Sequence, residues 1–285
     1  MAKDLIIGAY TNFKFDKLVP WIYSIKETGF DGDIVLIAVD SDPLTIQQIE
    51  AEGVKVVKAT NEKNMMIHML RFLHIYNFLK LYGSMYRYVI TTDVRDVIFQ
   101  SNPSVYLQKT MGSRTVGIIA QSESIKIKDE KWNRDNIIKN FGQYFYLDVC
   151  ENEVYNVGIL AGTPEHIKDM CFHLYQMSIN RPDWVADQAA YNMLLSYKPW
   201  SYHTLNMKLK DAWALNAHVT NKPDQMEEFG PYLLEGRPHM KDGIVYNAEG
   251  KPFVIVHQYD RVPEWNNYIL SKYKHDDVIT FRTDL

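Results

Sequence analysis

The chain has 285 residues, with 46% hydrophobic and 23% charged residues and a net charge of −4. That composition excludes a disordered chain, and with no basic stripe it argues against nucleic acid as a partner. The length suits one large α/β domain with an elaborated C-terminal part better than two full domains.

The first half alternates strand and helix patterns. Residues 5–10 form an apolar run that reads as a buried strand, followed by the polar Thr11-Asn12. A helical pattern covers 15–28, a second strand 33–39, and Asp40-Ser41-Asp42-Pro43 signals a turn and a helix start for 43–52. A third strand is expected at 54–57, a long helix at 62–82 closed by Gly83, and a fourth strand at 86–92. Strands separated by helices predict a mainly parallel sheet with helices on both faces. Beyond it, strands are expected at 115–120 and 155–161, and helices at 133–142, 164–178 and 185–196. Periodicity is weak from 197 to 250. A clear apolar strand at 253–256 and a closing helix at 263–273 complete the pattern.

No segment is long and apolar enough to span a membrane, and residues 5–10 are too short for a signal-peptide core. Cys150 and Cys171 have no metal-ligand spacing and give no disulfide framework, which fits a reducing compartment. The expected location is the cytoplasm of a bacterium, or a host cell for a virus-encoded protein. The 19 Tyr and 6 Trp supply flat faces suited to stacking on sugars or nucleobases, as well as to ordinary packing.

Open parallel sheets bind ligands beyond the carboxyl ends of their strands. The fourth strand delivers Asp93, Arg95 and Asp96 to that edge. Carboxylates there can hold a hard divalent cation that neutralises a diphosphate. A capped helix start or a surface Asp–Arg pair is the other reading. His257 ends an apolar run, where a neutral imidazole serves either as a structural group or as a ligand, better for Mn2+ than for Mg2+. Asp187 and Gln188 open a helical pattern, where an acid also stabilises the helix dipole. There is no Gly-x-Gly-x-x-Gly, Walker loop or Gly-x-Ser-x-Gly elbow.

The run from Tyr88 to Phe99 looks like the Asp-x-Asp strand end of GT-A glycosyltransferases. Further segments arrive in that family's order. Arg71-Phe72 lies in the preceding helix, Asn156-Val157-Gly158 resembles the Asn-x-Gly strand of glycogenin-like and bacterial galactosyltransferase-like members, Asp187-Gln188 resembles their Asp-Gln helix start, and Val254 to His257 resembles the late strand ending in a metal-binding His. The resemblance runs from about residue 5 to residue 260.

It implies a Rossmann-like GT-A domain over 1–285, with a nucleotide-sugar-binding half (1–110) and an acceptor-side half (111–285). It implies donor contacts from the loop Ala9-Tyr10-Thr11-Asn12, with Tyr10 stacking on the base, and from Asp40, Arg71, Thr92, Asp93, Val94, Arg95, Asn156 and Gly158. Lys14 is a weaker phosphate candidate. The implied metal ligands are Asp93, Asp96 and His257, holding Mn2+ in preference to Mg2+. Asp187, with Gln188, becomes the catalytic pair, as general base or as donor-sugar contact.

One departure stands out: Arg95 occupies the position of the family's second acid. Asp96 can replace that acid, Arg95 can contact phosphate, or Arg95 can pair with a carboxylate and shape the loop. The expected activity is transfer from a nucleotide diphosphate sugar, UDP-linked by preference, to a hydroxyl of a glycan or glycoprotein. A catalytically inactive nucleotide-sugar-binding or scaffold protein is the alternative.

Overall fold

The computed structural model describes residues 2–274, apart from 63, 64, 113, 114 and 184. Four strands, β1 (Lys3–Thr11), β2 (Asp33–Val39), β3 (Lys55–Ala59) and β4 (Tyr86–Thr92), lie parallel in the order β3-β2-β1-β4. The central strands β1 and β2 carry near-continuous apolar runs because both faces of the sheet are covered there, while the edge strand β3 is only partly buried. Side chains alternate across a strand. Leu5, Ile7 and Ala9 of β1 therefore enter one core cluster, while Ile6 and Tyr10 enter the other. Helices α1 (Val19–Glu27) and α2 (Pro43–Ala51) cover the Tyr10 face, and α3 (Ile67–Tyr82) covers the opposite one.

Local chemistry sets these helix ends. Asp42 caps α2 by accepting from the Thr45 amide at 2.9 Å, and Pro43 fills the first turn. The region expected as a helix over 15–28 is divided instead. A single 3-10 turn (Phe15–Lys17) precedes α1, which starts at Val19 with Pro20 preset for its first turn. The long helix begins at Ile67; residues 63 and 64 of the expected span 62–82 lie outside the described residues.

After β4 come β5 (Val97–Phe99), α4 (Pro103–Met111), β6 (Ile118–Lys126), α5 (Lys131–Phe141) and α6 (Gln143–Val149). Next are β7 (Glu153–Tyr155), β8 (Ile159–Gly162), α7 (Pro164–Ser178), α8 (Asp187–Ser196) and α9 (Trp200–His203). β8 pairs antiparallel with β4 and β6, β7 joins β6, and β9 (Thr204–Met207) adds a parallel partner to β6. Helices α7 and α8 pack on the α3 face, giving a mixed α/β architecture with a large, mostly parallel sheet between helical layers.

The irregular segment holds β10 (Ala214–Asn216), α10 (Ala217–Asn221), α11 (Pro223–Phe229) and the hairpin β11 (His239–Lys241) and β12 (Ile244–Tyr246), before β13 (Ile255–His257) and α12 (Pro263–Lys272). β10, β13 and β5 form a separate three-stranded sheet. The strand expected over 155–161 is interrupted at 156–158. Among the described residues, no helix is long and apolar enough to cross a membrane.

Candidate functional site

The end of β4 is held from behind. Trp21 donates its indole N–H to the buried Thr92 hydroxyl at 2.8 Å. Val94 folds back over β1, and a Cβ on Gly8 would stand 2.2 Å from Val94 Cγ1, so only glycine fits there. The Asp93 amide donates to the Gly158 carbonyl at 2.8 Å, tying the turn to the interrupted strand.

The small sheet then brings the late residues to this turn. β13 pairs antiparallel with β5, setting His257 opposite Val97, and parallel with β10, setting Asn216 beside His257. Gln258 adopts a left-handed backbone (φ 60) and its amide donates to the Asp96 carbonyl at 2.7 Å. Three side chains from distant segments therefore converge: ligand-type atoms of Asp93, Asp96 and His257 all lie within 4.8 Å of one another.

The chemistry of this cluster suits a cation. His257 Nδ1 lies 2.9 Å from Asn216 Oδ1, an acceptor, so Nδ1 carries the hydrogen and Nε2 presents its lone pair. Burial lowers the His257 pKa and favours the neutral ring. Nε2 stands 3.3 Å from Asp93 Oδ2 and 3.7 Å from Asp96 Oδ1. Three electron-rich atoms facing one another repel unless a cation lies among them. An imidazole ring fixed through its other nitrogen, together with two carboxylates, is a donor set for a divalent metal.

Three arginines surround the cluster. Buried Arg71 contacts Asp93 through Nη1 and donates from Nη2 to Asp187 at 3.2 Å. Arg95 pairs with Asp260 at 3.2 Å and with Asp96 at 3.4 Å, and its carbonyl accepts from Tyr259. Of the roles open to Arg95, the structure therefore displays the carboxylate-pairing one. Arg261 pairs with Asp260 at 2.9 Å and reaches within 3.9 Å of Asp96.

These groups open on a cavity of about 410 Å3. Most of the expected residues line it: Ala9 from β1, Arg71 from α3, the turn Asp93-Val94-Arg95-Asp96, Asn156 and Gly158, Asp187 and Gln188 of α8, and His257. Six are not on its wall. Tyr10 points to the opposite face of β1 and packs in the core, as strand alternation requires once Ala9 faces the cavity. Thr92 is engaged by Trp21. Asp40 accepts from the Asn61 amide at 3.1 Å, Thr11 is the last residue of β1, and Asn12 follows it. Asn12 and Asp40 both hold left-handed backbones (φ 55 and 46) where their strands end. Lys14 is exposed beside Asp42.

The interrupted segment 156–158 is a built loop. Asn156 Oδ1 accepts from the Gly158 amide at 2.8 Å, and Gln188 Oε1 accepts from the Val157 amide at 2.9 Å. Asn192 fixes the adjoining Tyr155 by bonding both its amide and its carbonyl at 2.9 Å. At Gly158 a Cβ would lie 2.3 Å from His257 Cε1, so the missing side chain makes room for the imidazole.

Sequence reasoning missed Glu123. It is buried, lines the cavity and accepts from Asn156 Nδ2 at 2.7 Å, with Gln188 as a second side-chain donor. Burial pushes its carboxyl up to about 7. The signal was present in Ser122-Glu123-Ser124, a polar run continuing an apolar strand that was expected to stop at 120. Ser124 has φ 61, and β6 changes register against β7 between Ser122 and Lys126. Phe13, His68, Trp132 and His218 also line the cavity, and burial lowers His218 to about 4.

No protein-family model matches this chain, and no curated protein matches its sequence. Among solved structures it is similar to the apo structure of WbbM, a bifunctional glycosyltransferase, with a TM-score of 0.54 and 11% identity. The match covers 95% of this chain and 50% of that one, so the chain spans half the length of that neighbour. The likeness is one of fold: a Rossmann-like α/β architecture of the kind found in a glycosyltransferase.

Proposed function

We propose that the chain is a GT-A glycosyltransferase that moves a sugar from a nucleotide diphosphate donor to a hydroxyl acceptor. The convergence of Asp93, Asp96 and His257 at the carboxyl end of β4, on the wall of the cavity, carries this reading. The three residues hold a divalent cation, Mn2+ in preference to Mg2+ because one donor is imidazole. Bound there, the cation supplies positive charge to the diphosphate leaving group.

The chain's own groups do the rest. Arg261 and Arg95 line the cavity with guanidinium groups, a chemistry matched to phosphate oxygens. Arg71 orients both Asp93 and Asp187. Ala9 and Phe13, near the end of β1, border the nucleoside side, with UDP the preferred carrier. Residues 1–110 serve the donor and 111–285 the acceptor, a glycan or glycoprotein.

A panel of nucleotide sugars, incubated with Mn2+ and simple glycan acceptors and followed by release of nucleotide and formation of product, tests the proposal. The expected result is transfer from one donor, lost in Asp93→Ala. Transfer that persists undiminished in that variant contradicts it, and so does an absence of transfer from every donor.

A further inference from the structure

The cavity wall carries three buried carboxylates besides the cation cluster. Glu130 is taken up in capping α5, where it accepts from the Trp132 and Asn133 amides, and the other two are held differently. Asp187 is bound through Oδ2 to Arg71, the same guanidinium that contacts Asp93. It therefore belongs to the charged network of the donor side. Glu123 has no lysine or arginine partner among the described residues; neutral amides of Asn156 and Gln188 hold it. Gln188 is oriented for this because its oxygen is already taken by the Val157 amide, which leaves its NH2 group to donate.

The strand order places the two carboxylates. From β4, which delivers Asp93, the sheet runs through β8 to β6, which carries Glu123. Two strand spacings amount to roughly 10 Å. A sugar ring on a diphosphate anchored at Asp93 fits between them, with Glu123 beyond it on the side away from the nucleotide strands β1 and β2. Trp132, about half exposed, borders the same cavity and offers a flat face to a second sugar.

Resting on the glycosyltransferase reading, we propose that Glu123, not Asp187, is the carboxylate that meets the attacking hydroxyl of the acceptor. The hydroxyl donates to the Glu123 oxygen not held by Asn156. As the acceptor oxygen bonds to the anomeric carbon, the bond from that carbon to the diphosphate oxygen breaks and its electron pair leaves with the diphosphate. The hydroxyl proton passes to Glu123. Direct displacement of this kind inverts the anomeric configuration. A carboxyl whose burial raises it to about 7 both takes up and returns a proton near neutral pH.

The test compares wild type with Glu123→Gln and Glu123→Asp, using the donor and acceptor found by the panel above. Glutamine matches the protonated acid in shape and retains the oxygen that Asn156 bonds. The expected result for Glu123→Gln is a fall in kcat of about 100-fold or more with little change in donor KM, partial activity in Glu123→Asp, and an inverted product by NMR. A Glu123→Gln kcat within about threefold of wild type, or a product of retained configuration, overturns the assignment while the transferase reading stands. A wild type that transfers nothing overturns that reading, and this inference with it.

Discussion

Replacing Gly158 with alanine probes the cation cluster without touching a ligand. The added Cβ would lie 2.3 Å from His257 Cε1 and 2.8 Å from Asn156 Oδ1. Carbon atoms pack comfortably at about 3.5 Å or more, so the imidazole must move by roughly 1 Å. Metal–ligand distances tolerate only about 0.2 Å, and Nε2 moves with its ring. The expected loss of Mn2+ affinity is about 10- to 100-fold, the range found when the supports of a metal ligand are disturbed. Overpacking adds about 1–3 kcal/mol of lost stability. Titration calorimetry with Mn2+ in the presence of UDP, together with urea unfolding, reads both effects. A Gly158→Ala protein that binds Mn2+ as wild type does refutes the reasoning, because the steric conflict would then have been absorbed without moving His257.

Two other outcomes follow from the same contacts. Asn216→Ala removes the oxygen 2.9 Å from His257 Nδ1; the freed ring loses its fixed tautomer, and Mn2+ affinity should fall about 10-fold or more by calorimetry. Glu123→Gln should alter the pH dependence of stability. The native carboxyl titrates near 7 against an ordinary value of 4.5, so the native state holds its proton more tightly than the unfolded chain does. Its contribution is fully present below about pH 4.5 and is lost as pH rises through 7. At about 1.4 kcal/mol per unit, glutamine should gain on the order of 3 kcal/mol relative to wild type between pH 4.5 and 8. A stability difference between the two proteins that stays flat with pH, measured by urea unfolding, contradicts this.

The parallel half of the sheet was legible because β1, β2 and most of β4 are buried on both faces and so read as apolar runs, closed by Asp, Pro and Gly. The β5 strand was hidden inside the expected motif, since Val97–Phe99 is too short to register as an element beside β4. The break at 156–158 was invisible for another reason. Asn156 and Gln188 impose it through side-chain bonds across 31 to 33 residues, which no local pattern encodes. Asp93, Asp96 and His257 were named from resemblance, and the three-stranded sheet is the physical reason they meet. Tyr10 was expected at the base from the resemblance, as part of the loop Ala9-Tyr10-Thr11-Asn12. Strand alternation decides otherwise, since Ala9 and Tyr10 cannot share a face. Glu123 escaped because an isolated acid in a strand carries no spacing signal, and only the fold sets it beside Asn156.

If Asp93, Asp96 and His257 hold a cation on which a nucleotide diphosphate binds, UDP affinity must depend on the metal. Calorimetry of UDP binding, with Mn2+ and then with EDTA, for wild type and Asp93→Asn, tests it most directly. Wild type should bind UDP at least about tenfold tighter with Mn2+, with no such gain in the variant. Equal UDP affinity in Mn2+ and EDTA, or a full Mn2+ gain in Asp93→Asn, would contradict it.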